Sequence, residues 1–221
     1  MIFKDADIEA AVKHCAAGKF RNAGQVCISP TRFFIEEPVY DEFIKSFKSH
    51  VEAINVGDGL DSKSTMGPLV ADRRLEVMED FISDAISSGG EVISGGGRGQ
   101  SPGSFFEPTL IRDVPDTAKI MIEEPFGPVA PSASFSSIDE IIERANSLPF
   151  GLASYAFTSN PRTSQILKSE IESGMLAINS MHIHSVETPF GGLKHSGYGY
   201  EGSIEGLEAF LVTKYSSEIY T

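Results

Sequence analysis

Cysteine is scarce in this sequence: it has only Cys15 and Cys27, and no Cys-x-x-Cys pair. That excludes a disulfide framework and offers no zinc-ligand spacing. Basic side chains are outnumbered, 18 against 31 acidic ones, for a formal charge of −13. A surface that acidic repels phosphate backbones and anionic lipid, which argues against nucleic acid and membrane as partners. A small anionic substrate stays possible, because one sheltered arginine can outweigh a distant, screened surface field. No apolar run is long enough to span a bilayer, and Met1 opens no signal-peptide pattern. A reduced, cytoplasmic protein is the expectation.

What is present is globular in character. Hydrophobic residues make up 41% and charged residues 22% of 221 positions, enough to bury a sizeable core. Helical spacing of apolar residues is expected over Asp5–Phe20, Val39–Ile54, Ala71–Ser88, Ile138–Asn146 and Arg162–Glu172. Strand-like segments are expected at Thr31–Ile35, Glu91–Ser94, Phe105–Ile111, Val129–Phe135, Ser154–Thr158 and Met175–Asn179. Gly95–Pro102 reads as a surface turn. The alternation predicts an α/β fold with a mostly parallel sheet flanked by helices. After Asn179 a loop rich in glycine and aromatics leads to a short helix near Gly202–Ala209, and Phe210–Tyr215 reads as a strand leaving the body. Residues 1–200 are expected to form the cysteine-bearing domain, and 201–221 a helix-and-strand segment for oligomerisation.

Cys27 falls at the junction of a helix and a strand, where a thiol can be exposed and backbone N–H groups can stabilise a thiolate and an oxyanion. By spacing alone a single cysteine is more often a small buried apolar side chain than a nucleophile. Cys15, on the apolar face of the preceding helix, keeps that reading outright. Three ordered motifs change the balance for Cys27. They are Phe20-Arg-Asn-Ala-Gly-Gln-Val-Cys27, Glu123-Glu-Pro-Phe-Gly-Pro-Val129 and Thr188-Pro-Phe-Gly-Gly-Leu-Lys-His-Ser-Gly197, the last followed by Gly199 and Glu201-Gly202. Together they resemble the NAD(P)-dependent aldehyde dehydrogenases, and the likeness extends over essentially the whole chain.

The resemblance implies a role for each matching position. Cys27 would attack the aldehyde carbon, giving a thiohemiacetal and then a thioester that water hydrolyses, while its backbone N–H contributes to an oxyanion hole. Glu124 matches the glutamate that holds the nicotinamide ribose hydroxyls of NAD or NADP, Phe126 the aromatic beside that ribose, and Phe190 a wall of the substrate tunnel. Without the motifs, Glu124 would be read as a solvated acid and both phenylalanines as core packing. Arg21 and Ser185 are similar to the positions by which succinate-semialdehyde dehydrogenases hold the far carboxylate. Arginine suits that task through two parallel charge-assisted hydrogen bonds, although an arginine paired with one of the many acids is equally open. Ser29 stands where some of those enzymes carry a second cysteine, so a disulfide switch is expected to be absent.

Gly197-Tyr-Gly-Tyr-Glu-Gly202 satisfies G-x-G-x-x-G, but no strand–helix context or downstream acid supports a dinucleotide fingerprint. His182 and His184 alternate as on an extended segment, and are expected to face opposite ways near the substrate entrance rather than to bind a metal. The family's N-terminal Rossmann-like domain carries most of the cofactor site and a general-base glutamate in a Glu-Leu-Gly-Gly motif. No such motif occurs here, so the expectation is an incomplete enzyme that is silent alone and a homo-oligomer, dimer or tetramer, at full length. Two other classes are open: a cysteine hydrolase or thioesterase using a histidine beside Cys27, and a non-catalytic association module built on Phe210–Tyr215.

Overall fold

The structure is a computed structural model that describes residues 1–100 and 102–221. Ser101, inside the expected Gly95–Pro102 turn, lies outside the described residues. The chain begins α1 (Ile8–Phe20), β1 (Phe33–Glu36), α2 (Tyr40–Glu52), α3 (Arg73–Ser87), β2 (Glu91–Ser94) and β3 (Thr109–Arg112). It continues α4 (Lys119–Ile122), β4 (Val129–Phe135), α5 (Ile138–Asn146), β5 (Phe150–Gly151) and β6 (Ala153–Ala156). It ends with α6 (Pro161–Glu170), β7 (Met175–Ile178), β8 (Leu193–Lys194) and α7 (Ser203–Glu208). The fold is α/β, and its sheets are mostly parallel.

One sheet has the order β1-β4-β3-β2, with β1, β4 and β3 parallel and β2 antiparallel at the edge. A second pairs β6 with β7 in parallel. The two are joined by a segment too short to register in the sequence pattern. Ile2 forms parallel bridges to both Ile35 and Phe157. Its neighbourhood is fixed by Ile2 N–H to Phe34 O (2.8 Å), Glu36 N–H to Ile2 O (2.8 Å), Phe3 N–H to Phe157 O (3.0 Å) and Phe157 N–H to Met1 O (2.9 Å). Met1–Phe3 therefore lies between β1 and β6 and turns two sheets into one surface.

Helices pack where their apolar spacing dictates. In α2 the buried residues Tyr40, Phe43, Ile44, Phe47 and Val51 recur at helical spacing, and Phe47 meets Phe20, Phe33 and Phe43 with ring centroids 6.3, 5.2 and 5.4 Å apart. The first helix is capped by Asp7, which accepts from Ala10 N–H, and it buries Ala11, Val12, Cys15, Lys19 and Phe20. β4 is buried along nearly its whole length, as a strand paired on both sides and covered by helices should be.

One expected element is corrected. Phe210–Tyr215 has no regular structure, and its apolar side chains stand in solvent. A lone strand leaves its N–H and C=O groups to water, and this segment pairs with no strand among the described residues. The Phe105–Ile111 strand shrinks to β3, with Phe106 instead bridging Arg98. Ile2 is 1% exposed at the junction of the two sheets. Ile2→Ala is expected to cost about 3 kcal/mol through the cavity it opens, measurable as a shift in urea-unfolding midpoint.

Candidate active site

The segment leading out of α1 is the most unusual backbone in the molecule. Asn22, Ala23 and Gly24 are all left-handed, with φ of 52°, 54° and 72°. Non-glycine residues visit that region at a cost, so surrounding bonds must hold them there. Here they do. Asn22 Nδ2 donates to Gln25 O (3.0 Å), and Gln25 Nε2 donates back to Asn22 O (3.0 Å) and to Pro68 O (3.3 Å). Gln25 Oε1 accepts from Val70 N–H at 2.9 Å. The loop is thus braced internally and tied to the residues before α3.

Cys27 follows these braces and is exposed, whereas Cys15 is buried and its thiol is pushed up to about 12 by burial. Beyond Cys27 the chain is held twice. Tyr155 donates its hydroxyl to Ile28 O at 2.8 Å, and Ser29 Oγ donates to Lys19 O at 3.2 Å. Burial lifts the Tyr155 hydroxyl to about 12, a rise that the Arg21 guanidinium opposes. Arg21 is exposed and forms no ion pair among the described residues. The structure therefore ties Tyr155 to the Cys27 loop, one residue past the thiol. Tyr155 carries no local sequence signal, since the carbonyl it holds is 127 positions away.

Glu124 lies on the loop between α4 and β4, and Phe126 shares that loop with a left-handed φ of 42° and a half-exposed ring. Crowding raises the Glu124 carboxyl above the ordinary carboxylate value, opposed by the charge of Lys19. Arg74 donates to Pro125 O, anchoring the loop to α3. The Glu124 and Cys27 loops meet at their glycines. A Cβ on Gly24 would stand 2.2 Å from Gly127 O and 3.2 Å from Lys19 O, and one on Gly127 would stand 2.1 Å from Met78 Sδ. At Gly24 glycine is required because backbone passes against backbone, whereas at Gly127 the space is taken by the Met78 side chain.

Ser185 and Phe190 occupy a third loop and make no hydrogen bond to the Cys27 loop among the described residues. Ser185 N–H donates to Thr188 Oγ1 (2.8 Å), and Phe190 exchanges two backbone bonds with Glu201 (2.7 and 2.8 Å). His182 and His184 are corrected: they stack, with centroids 5.9 Å apart and planes 25° apart, and His184 meets the edge of Phe190 at 6.2 Å. The segment after β7 is irregular, so the alternation of an extended chain does not apply. No group of three metal-ligating side chains occurs among the described residues. Nor does any histidine hydrogen-bond Cys27 among them, which weighs against a cysteine hydrolase. Gly197–Gly202 joins the two-residue β8 to the six-residue α7, outside any βαβ unit.

These features define a class first: an α/β domain presenting an accessible thiol on a strained, braced loop, with an arginine on the same turn. Comparison with known proteins supplies the family. Residues 1–216 match the aldehyde dehydrogenase family. A Sinorhizobium fredii protein named "Probable succinate-semialdehyde dehydrogenase (NADP+)" is 44% identical over 97% of this chain and 44% of its own length. The 4-(hydroxymethyl)benzenesulfonate dehydrogenase TsaD1 of Comamonas testosteroni is 42% identical over 96% of this chain and 44% of its own. The crystal structure of succinate-semialdehyde dehydrogenase from Burkholderia pseudomallei superposes with a TM-score of 0.94 at 38% identity, covering 96% of this chain and 44% of that one. This chain belongs to the aldehyde dehydrogenase family, and it spans less than half the length of these relatives. No helix among the described residues is long and apolar enough to cross a membrane.

The Gly24–Gly127 contact can be tested directly. Gly24→Ala is expected to destabilise by at least about 3 kcal/mol, from the left-handed φ and the backbone clash combined. Chemical unfolding monitored by circular dichroism would show it.

Proposed function

We propose that this chain carries the nucleophile, and part of the cofactor and substrate sites, of an NAD(P)-dependent aldehyde dehydrogenase acting on a semialdehyde such as succinate semialdehyde. The observation that carries this reading is the exposed Cys27 on a braced left-handed loop with unpaired Arg21 beside it. Cys27 Sγ attacks the aldehyde carbon, and its own backbone N–H faces the developing oxyanion. Tyr155 and Ser29 keep the chain after the thiol from shifting, which a near-attack geometry demands. Arg21 takes the far carboxylate, Ser185 adds a hydrogen bond to it, and Phe190 forms a wall of the entrance. One relative is named for a semialdehyde and another for a sulfonate, so both names carry an anionic group suited to Arg21.

The donor set fits the ribose end of a nicotinamide dinucleotide. Glu124 offers a carboxylate acceptor for paired hydroxyls, and Phe126 an exposed ring on the same loop. The chemistry such a cofactor supplies when bound is acceptance of a hydride. Residues 201–221 would serve association between subunits, where the exposed Phe210–Tyr215 could gain the strand partner it lacks here.

Assayed as 221 residues with NAD+ or NADP+ and succinate semialdehyde, the polypeptide is expected to give no steady NAD(P)H signal. It spans only 44% of the dehydrogenases it resembles. A protein extended to the family's full length should turn over, and Cys27→Ala there should lower kcat at least about 10³-fold. Turnover that survives Cys27→Ala would sink the assignment of the nucleophile. In the same full-length protein, Arg21→Gln is expected to raise KM for succinate semialdehyde about 10- to 100-fold. Its effect on an uncharged aldehyde should be small, and equal losses on both substrates would remove Arg21 from the carboxylate site.

A further inference from the structure

Lys19 sits on the buried face of α1, 0% exposed, and its Nζ has no hydrogen-bond partner among the described residues. Lysine is almost never fully buried without a compensating charge. The nine ion pairs among the described residues use neither Lys19 nor Glu124. The two belong to facing surfaces. The carbonyl of Lys19 lies 3.2 Å from where a Gly24 Cβ would stand, and the carbonyl of Gly127, three residues beyond Glu124, lies 2.2 Å from the same point. The last turn of α1 and the Glu124 loop are therefore backed against each other across one glycine. Lys19 is also held by its backbone, which accepts the Ser29 hydroxyl at 3.2 Å.

We propose that Lys19 is a positioning residue for Glu124: its buried ammonium faces that carboxylate and fixes where the acid stands relative to the Cys27 loop. The charges agree with the geometry. Burial lowers the Lys19 ammonium to about 7, and Glu124 is the carboxylate that opposes the shift. Lys19 in turn opposes the rise at Glu124. Each is the counter-charge of the other without a direct hydrogen bond, the lysine buried and the acid at the surface, where water screens part of the attraction. The consequence is mechanical as well as electrostatic. The backbone carbonyl at the same position accepts the Ser29 hydroxyl that steadies the chain after Cys27, so the ammonium is anchored next to the thiol's own support.

This inference rests on the reading that Glu124 binds the cofactor ribose, and the test separates the two. In the full-length enzyme, cofactor Kd by calorimetry, KM for cofactor and aldehyde, and melting temperature are measured for Lys19→Met, Lys19→Leu, Glu124→Gln and the Lys19→Met/Glu124→Gln double variant. Lys19→Met keeps length and apolar bulk, so the melting temperature should hold or rise. Cofactor Kd should rise about tenfold, with aldehyde KM little changed and the double variant no weaker than Glu124→Gln alone. Lys19→Leu should reproduce this if Met packs poorly. If Glu124→Gln weakens the cofactor and neither Lys19 variant does so beyond twofold, the positioning role is overturned. So it is if the two losses simply add. If Glu124→Gln leaves cofactor binding intact, the reading of Glu124 itself fails and the inference goes with it.

Discussion

Two glycines in contact set the terms for the site. Gly24 ends the left-handed stretch before Cys27, and Gly127 stands three residues past Glu124. The Gly127 backbone leaves no room for a methyl group at Gly24, and the Met78 side chain fills the space beside Gly127. That contact brings the lead-in to β1 and the lead-in to β4 to one place, and those two strands are neighbours in the main sheet. The sheet register and the site geometry are therefore one constraint seen from two sides. Close packing transmits such a constraint because interiors yield little.

Charge at this site runs against the charge of the molecule. The chain is strongly acidic overall, yet the Cys27 loop presents an exposed arginine and conceals a lysine within one turn of it. Screening confines surface charges to a radius of about 8 Å at physiological salt, so the local pair governs what meets the thiol. The net charge bears on solubility and encounter, and the placement of two cations bears on chemistry.

Much of this was written plainly in the sequence. The apolar spacing of α2 and α3 and the fully apolar face of β4 follow from elementary periodicity, and the motifs around Cys27 and Glu124 marked two of the loops. Short elements escaped because three residues carry no period: Met1–Phe3 is a full member of the sheet without any pattern to announce it. Tyr155 escaped because its carbonyl partner is remote in sequence. Lys19 could have been found, since it continues the series Ala11, Val12 and Cys15 along the buried face of α1, where a charge demands an explanation. Phe210–Tyr215 misled in the opposite sense, having the composition of a strand with nothing beside it. The His182–His184 stack followed from a turn that alternation cannot express.

The position of Met1–Phe3 between β1 and β6 also orders events in time. Its bonds to Phe34 and Glu36 join residues a few dozen apart, but those to Phe157, and the Asp5 bonds to Thr158 and Ser159, join residues more than 150 apart. Closing so long a loop costs chain entropy before any contact is rewarded. During synthesis, at roughly 5–20 residues per second, that edge of Ile2 waits open for about 8–30 seconds. The helices α2 and α3 and the β1–β4 sheet can assemble meanwhile, and the β6–β7 half docks later, onto a strand made long before it.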